Sequence, residues 1–377
     1  MKCTAILFLV NGWGLEWMTL EDPVFRHREV LTPDYLPDHF PNRMDQIKTI
    51  SQLIYEFLHG DTTHVFIHGP PGTGKTASVK FIFNSLKQET EALVCYVNCF
   101  NKNTRMAVLY SMFLDFFRQK RPTHMMPSRR GIAYDELLCS FNEEVRKAKT
   151  KIIVCLDEVD QLSESKLIYD LARSRSNGIP VQIIAISNDP LVFNNIDPRA
   201  RSSLFPLEEI AFNPYTKKEM VEIIRERVFA AFNQNVVTKE AIDFLAEFTA
   251  ERKGDVRIAR ETLLRAGDLV RKSGGKVELR HMKGVLEKTQ HSKTTAMLSA
   301  LSKRERFILR LIPDQGVNYP QLYDFYRTTD GQLGDRMFRN YVEKFARLRL
   351  INMERKGIGG SYFITLNTPK ELLFEIS

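Results

Sequence analysis

Residues 64–76 read HVFIHGPPGTGKT, and this stretch decides the fold. An apolar run from His64 to His68 leads into Gly69-Pro70-Pro71-Gly72-Thr73-Gly74-Lys75-Thr76, which satisfies G-x-x-x-x-G-K-[ST] and passes into the helical pattern KTASVKFIFNSLKQ. Glycines let the backbone bend so that its N–H groups, with the dipole of the following helix, surround phosphates. Gly69, Gly72, Thr73 and Gly74 are therefore expected to shape the cradle. Lys75 should reach the β and γ phosphates of ATP, or the β phosphate of ADP, and the Thr76 hydroxyl should coordinate Mg²⁺.

Working outward, four further β-rich runs follow: LVCYVN from 93, KIIVCLD from 151, VQIIAIS from 181 and LEEIAF from 207. Each of the five reads as a strand buried on both faces, and the amphipathic stretches between them imply an α/β fold, a parallel sheet with helices on both sides. In IIVCLDEVD, Asp157 and Glu158 end a buried strand about eighty residues beyond the loop. If the strands are parallel they lie beside it, Asp157 as metal partner with Thr76 and Glu158 as the base that orients and deprotonates water. Asn188, ending the next strand, can position that water or sense the γ phosphate.

The remaining organisation is read from pattern and composition. From 214 to 290 the strand signal gives way to successive helices, a small helical domain. HSKTTAMLSA, 291–300, reads as a polar linker. From 301 to 377 three helices precede the Gly-turned hairpin INMERKGIGGSYFITL, a winged helix-turn-helix. Residues 1–30 read as an N-terminal extension: MKCTAILFLV lacks a cleavage site and is too short to span a membrane, so Met18 is expected as the natural start and the preceding segment as an over-extended reading frame or a tail. With 43% hydrophobic and 27% charged residues, disorder, collagen and membrane bundles are excluded. A net charge of +8 makes a polyanion such as nucleic acid a natural partner. Five cysteines without paired short spacing read as reduced thiols.

The motifs GPPGTGKT, LDEVD, SND and IDPRARSSL, the last followed by EEIAFNPYTKKEMVEIIRER, resemble AAA+ ATPases. More narrowly, with PDYLPDHFPNR before the core and GDVRIARETLLRAG after it, they resemble archaeal-type replication initiators, the family joining origin recognition complex proteins to cell division control protein six. The resemblance implies an AAA+ core over 31–213, a lid over 214–290 and a DNA-binding winged helix. It also implies that Tyr215 and Arg227 contact nucleotide and that Arg257 senses the γ phosphate from the lid. Arg201, with Arg199 in reserve, matches the finger inserted into a neighbour's site. Pro41-Asn42-Arg43 departs from the family's histidine-arginine pair, and no adenine contact is assigned there. A finger supplied by another subunit implies slow, switch-like turnover by the monomer.

Two basic surfaces are expected to meet duplex DNA. In GDRMFRNYVEKFARLRL an apolar stripe of Phe338, Tyr341, Val342, Phe345 and Leu348 leaves Arg336, Arg339, Asn340 and Arg347 exposed to phosphates and base edges. Arg355 and Lys356 open the wing. From Gly334 to Lys356 seven basic residues face three acidic ones. The second surface, by resemblance, is the initiator-specific insertion carrying Arg118, Lys120, Arg121, Arg129 and Arg130. The resemblance implies an ATPase that binds origin DNA and helps recruit or load the replicative helicase, with paralogous initiators or itself as further partners. It would work in the cytoplasm on the chromosome, away from membranes. The competing readings are a repair or clamp-loading motor and a DNA-binding regulator that uses nucleotide as a structural ligand.

Overall fold

The computed structural model describes residues 5–11, 14–20, 22–122, 131–329, 331–355 and 362–375. They fall into two compact units, Met1–Met282 and Lys283–Ser377. The first begins with an antiparallel pair, β1 (Ala5–Asn11) and β2 (Gly14–Leu20). The expected tail is thus a hairpin, because two adjacent runs of strand length supply each other's backbone partners. After it come α1 (Met44–His59), β3 (His64–His68), α2 (Lys75–Glu89), β4 (Leu93–Asn98) and α3 (Arg105–Lys120). Then follow α4 (Tyr134–Lys147), β5 (Ile152–Asp157), α5 (Lys166–Arg173), β6 (Val181–Ser187), α6 (Pro198–Ser203) and β7 (Leu207–Ala211).

Strands β3 to β7 form one parallel sheet in the order β4-β5-β6-β3-β7. Alternation along each strand builds two core layers. Val65, Ile67, Ile153 and Ile184 pack with Ile50, Ile54, Val79 and Phe83 of α1 and α2. Phe66, Val154, Leu156 and Ile183 pack with Val108, Phe113, Phe141 and Leu167 of α3, α4 and α5. Every residue of β5 and β6 is buried. Strand β7 departs from the expected double burial: of its five residues only Ile210 is buried, because it pairs with β3 alone and its charged Glu208 and Glu209 suit a sheet edge. Parallel strands bring the C-terminal ends of β3, β5 and β6 to one edge, where the phosphate loop, Asp157 and Asn188 gather.

Helices α7 (Lys217–Ala231), α8 (Lys239–Ala250) and α9 (Val256–Ser273) follow the sheet. Residues 22–30, read as part of an extension, pack onto them together with Leu31. Phe25 lies 4.9 Å from the Phe232 ring and forms a backbone bridge with the same residue. A Cβ on Gly267 would stand 2.3 Å from the Phe25 ring, so the helix leaves a notch for it. Arg28 holds Asp268 at 2.7 Å and Arg271 holds Asp22 at 3.0 Å.

The expected linker is helical: α10 runs Leu279–Ser299, since 291–299 contains neither Gly nor Pro to stop it. The smaller unit contains α11 (Lys303–Arg310), β8 (Val317–Asn318), α12 (Tyr319–Thr329), α13 (Asp335–Arg347), β9 (Ile351–Arg355), β10 (Tyr362–Leu366) and α14 (Lys370–Glu375). A Ser302/Glu305 capping box starts α11. Its core joins Ile308, Leu322 and Tyr326 to Phe338, Val342 and Phe345 of α13, while Tyr341 and Leu348 are partly buried. The sheet order β8-β10-β9 is antiparallel, the arrangement of a winged helix.

Phe25→Ala is expected to destabilise the larger unit by about 3–5 kcal/mol, the usual range for a buried phenylalanine truncated in place. Denaturant unfolding checks this; an unchanged midpoint would refute the docking of residues 22–31.

Candidate nucleotide site and nucleic-acid surface

The phosphate loop turns on left-handed glycines. Gly69 has φ 146° and a Cβ there would meet the Phe212 carbonyl oxygen at 2.2 Å; Gly72 has φ 77° and a Cβ would strike Asp255 Oδ1 at 1.9 Å. No side chain fits at either place. The Gly72 carbonyl accepts from Val256 N–H at 3.3 Å, so α9 touches the loop through its first turn.

Lys75 opens α2 and is only 6% exposed. Its ammonium donates to the carbonyls of Gly69 (2.6 Å) and Pro70 (2.8 Å) and to Asn188 Oδ1 (3.0 Å). Burial lowers its pKa from 10.5 to about 8, with Asp157 acting in the opposite direction. Thr76 Oγ1 donates to Asp157 Oδ2 at 2.8 Å. Glu158, left-handed at φ 54°, donates its N–H to Asp157 Oδ1 at 3.0 Å.

Gly72, Lys75, Thr76, Asp157, Glu158 and Asn188 line a cleft of about 490 Å³ together with residues 33–41, Tyr215, Arg227, Arg257 and Arg260. Arg257 is held by Asp255, the N-cap of α9, through Nε–Oδ1 at 2.9 Å and Nη2–Oδ2 at 2.7 Å. The Arg227 guanidinium lies 5.1 Å from the Tyr35 ring. Arg43, left without a role above, is 4% exposed and donates to Thr73 O (2.9 Å), Asn42 O (3.0 Å) and Asn213 O (2.5 Å). It stacks 3.9 Å from the Tyr215 ring. Arg199 and Arg201 lie exposed on α6, outside the cleft lining. A nucleoside triphosphate with Mg²⁺ fits these donors: a cradle that excludes side chains, a buried ammonium, and a hydroxyl hydrogen-bonded to a carboxylate.

The basic surfaces are less uniform. Arg118 is exposed and 3.7 Å from Asp115, whereas Lys120 is bound to Glu91 at 3.1 Å and Arg121 to Glu144 at 3.4 Å. Arg129, Arg130 and Lys356 lie outside the described residues. On α13, Arg336, Arg339, Asn340 and Arg347 are all exposed. The Arg339 guanidinium sits 5.2 Å from the Tyr319 ring, and Arg355 on β9 sits 5.9 Å from that of Tyr362. Lys344, counted above in the basic footprint, is instead paired with Glu305 at 2.6 Å.

Residues 58–191 match the family model of an AAA domain, and residues 221–285 that of a Cdc6 AAA+ ATPase-type lid domain. ORC1-type DNA replication protein 1 of Sulfurisphaera tokodaii is 30% identical over 327 residues, covering 82% of this chain and 80% of that protein. The chain belongs to the ORC1-type DNA replication protein family. ORC1-type DNA replication protein 3 of Haloarcula marismortui is 29% identical over 370 residues, covering 94% of this chain and 96% of that one. In fold, the chain is similar to the Aeropyrum pernix ORC1 protein solved in complex with DNA, with a TM-score of 0.73 at 22% identity over 95% of this chain and 97% of that one. The larger unit is thus an AAA+ ATPase core with its lid, and the smaller one a winged helix.

Two residues of this ORC1-type site escaped the sequence reading. Arg43 is the arginine of the turn-rich run PDYLPDHFPNR, placed just before α1, where three backbone carbonyls and the Tyr215 ring receive it. Tyr96, inside the apolar run LVCYVN, reaches Asp157 at 2.6 Å. Arg43→Met is expected to cost about 1–3 kcal/mol, since it leaves the buried Thr73 carbonyl without its donor. Arg43→Lys should recover only part of the loss, and equal unfolding midpoints for the three proteins would refute the clamp.

Proposed function

We propose that this ORC1-type protein is an ATP-dependent replication initiator that binds duplex origin DNA through its winged helix and uses nucleotide as a slow switch. The observation that carries the reading is the convergence of Lys75, Thr76, Asp157, Glu158 and Asn188 on one cleft in a chain of this family. When bound, Mg²⁺ would neutralise charge on the transferring phosphoryl group, held by Thr76 and Asp157. Lys75 places its ammonium against the phosphates, and Gly69, Gly72, Thr73 and Gly74 direct backbone N–H groups to them. Glu158 accepts the proton of the attacking water while Asn188 fixes that water's position.

Tyr215 and Arg227 contact the nucleoside side of the ligand. Arg257 leaves Asp255 to meet the γ phosphate, so the lid responds to which nucleotide is bound. Arg201 acts in a neighbouring subunit's site, which keeps turnover by the monomer slow. Arg336, Arg339, Asn340 and Arg347 enter the major groove, Arg355 and Lys356 follow the backbone, and Arg118 with Arg129 and Arg130 supplies the second contact, Lys120 and Arg121 being already paired. Recruitment of the replicative helicase completes the role. All of this takes place on the chromosome, and among the described residues no helix is long and apolar enough to cross a membrane.

Footprinting across genomic DNA with ATP and with ADP tests the reading. Protection concentrated at replication start sites and altered by nucleotide is expected; occupancy of promoters instead would favour a regulator.

A second test uses Lys75. Its pKa of about 8 in the free protein should rise when phosphates arrive, because anions stabilise the ammonium. Just above pH 8, where the free group has lost its proton and the bound group keeps it, binding should therefore take up protons. Calorimetry in buffers of different ionisation enthalpy measures this. Lys75→Arg should abolish the uptake, and its persistence in that variant would exclude Lys75 as the source.

A further inference from the structure

Asp157 Oδ2 accepts two hydroxyl hydrogen bonds, from Thr76 Oγ1 at 2.8 Å and from Tyr96 at 2.6 Å. Oδ1 accepts the N–H of Glu158 at 3.0 Å. The carboxylate is therefore fixed from three directions, and both in-plane lone pairs of Oδ2 are engaged. Tyr96 does not line the cleft. Lys80, which does line the cleft, places its ammonium 4.7 Å over the Tyr96 ring. A cation on that face draws electron density from the ring and makes the hydroxyl a stronger donor.

We propose that Tyr96 is a positioning residue for Asp157: it occupies the second lone pair of Oδ2 and locks the carboxylate so that the Thr76 hydroxyl keeps donating to it and turns its own lone pairs toward Mg²⁺. Without the tyrosine, Asp157 is free to rotate or to take water on Oδ2, and Thr76 loses its fixed acceptor. Groups that orient a metal ligand in this way typically change metal affinity by about 10–100-fold when removed. The inference rests on the nucleotide reading above and adds a residue that neither touches ligand nor belongs to the phosphate loop.

Tyr96→Phe keeps the ring beneath Lys80 and removes only the hydroxyl. In the full-length protein, adenine-nucleotide affinity is measured in excess EDTA and then across a Mg²⁺ titration, with the melting temperature of the nucleotide-free protein recorded alongside. The variant is expected to need about 10-fold more Mg²⁺ for half-maximal enhancement, with affinity in EDTA and melting temperature nearly unchanged. An unchanged Mg²⁺ midpoint, or an equal loss in EDTA, overturns the proposal. In an Asp157→Ala background, which leaves no side-chain acceptor, the same substitution should add nothing to the Mg²⁺ midpoint; an additive loss also overturns the proposal. Should the unsubstituted protein fail to bind ATP at all, the nucleotide reading itself falls, and this inference with it.

Discussion

Asp157 ties the C-terminal edge of the sheet together. It ends β5, a strand with no exposed residue, and a carboxylate in such a place is tolerated only when its oxygens are satisfied. Its partners come from α2, from β4 and from its own next peptide, so three neighbouring segments are registered against one another at a single group. Lys75, one residue before Thr76, is held by two carbonyls and an amide oxygen, and burial lowers the pKa of its ammonium.

A second constraint works from the opposite wall. Arg43 joins the peptide of Thr73 in the phosphate loop to that of Asn213, where the chain leaves the sheet for the lid, and it stacks on Tyr215 just beyond. The loop also bonds directly to the start of α9 through Gly72 and Val256. Both connections run through backbone atoms and depend little on neighbouring side-chain identity. The lid cannot turn without being felt at the phosphate cradle.

Much of this was legible in the chain itself. Glycine spacing located the cradle, buried runs located β3 to β6, and the apolar stripe on α13 marked the helix that docks. The edge position of β7 was not legible, because a run such as LEEIAF has the length of a strand whether one neighbour or two will pair with it. Residues 22–30 looked like an extension because Phe25, Arg28 and Asp22 find their partners more than two hundred positions later. Local pattern carries no trace of such pairing. Arg43 and Tyr96 were missed for a related reason: one hydrogen-bonds to main-chain carbonyls far along the chain, and the other hides a single polar atom inside an apolar strand. Composition also misread 291–299, where small polar residues suit a helix as well as a connector.

The Arg28–Asp268 pair spans 240 positions of the chain. A growing polypeptide therefore exposes Phe25 and its neighbours near the beginning of synthesis and cannot seat them until α9 has left the ribosome. The sheet, whose contacts are complete by residue 211, can fold in the meantime, so the clasp on the lid closes late. Closing so long a loop is slow relative to forming local contacts, so the N-terminal segment seats on α7 and α9 after the sheet has formed.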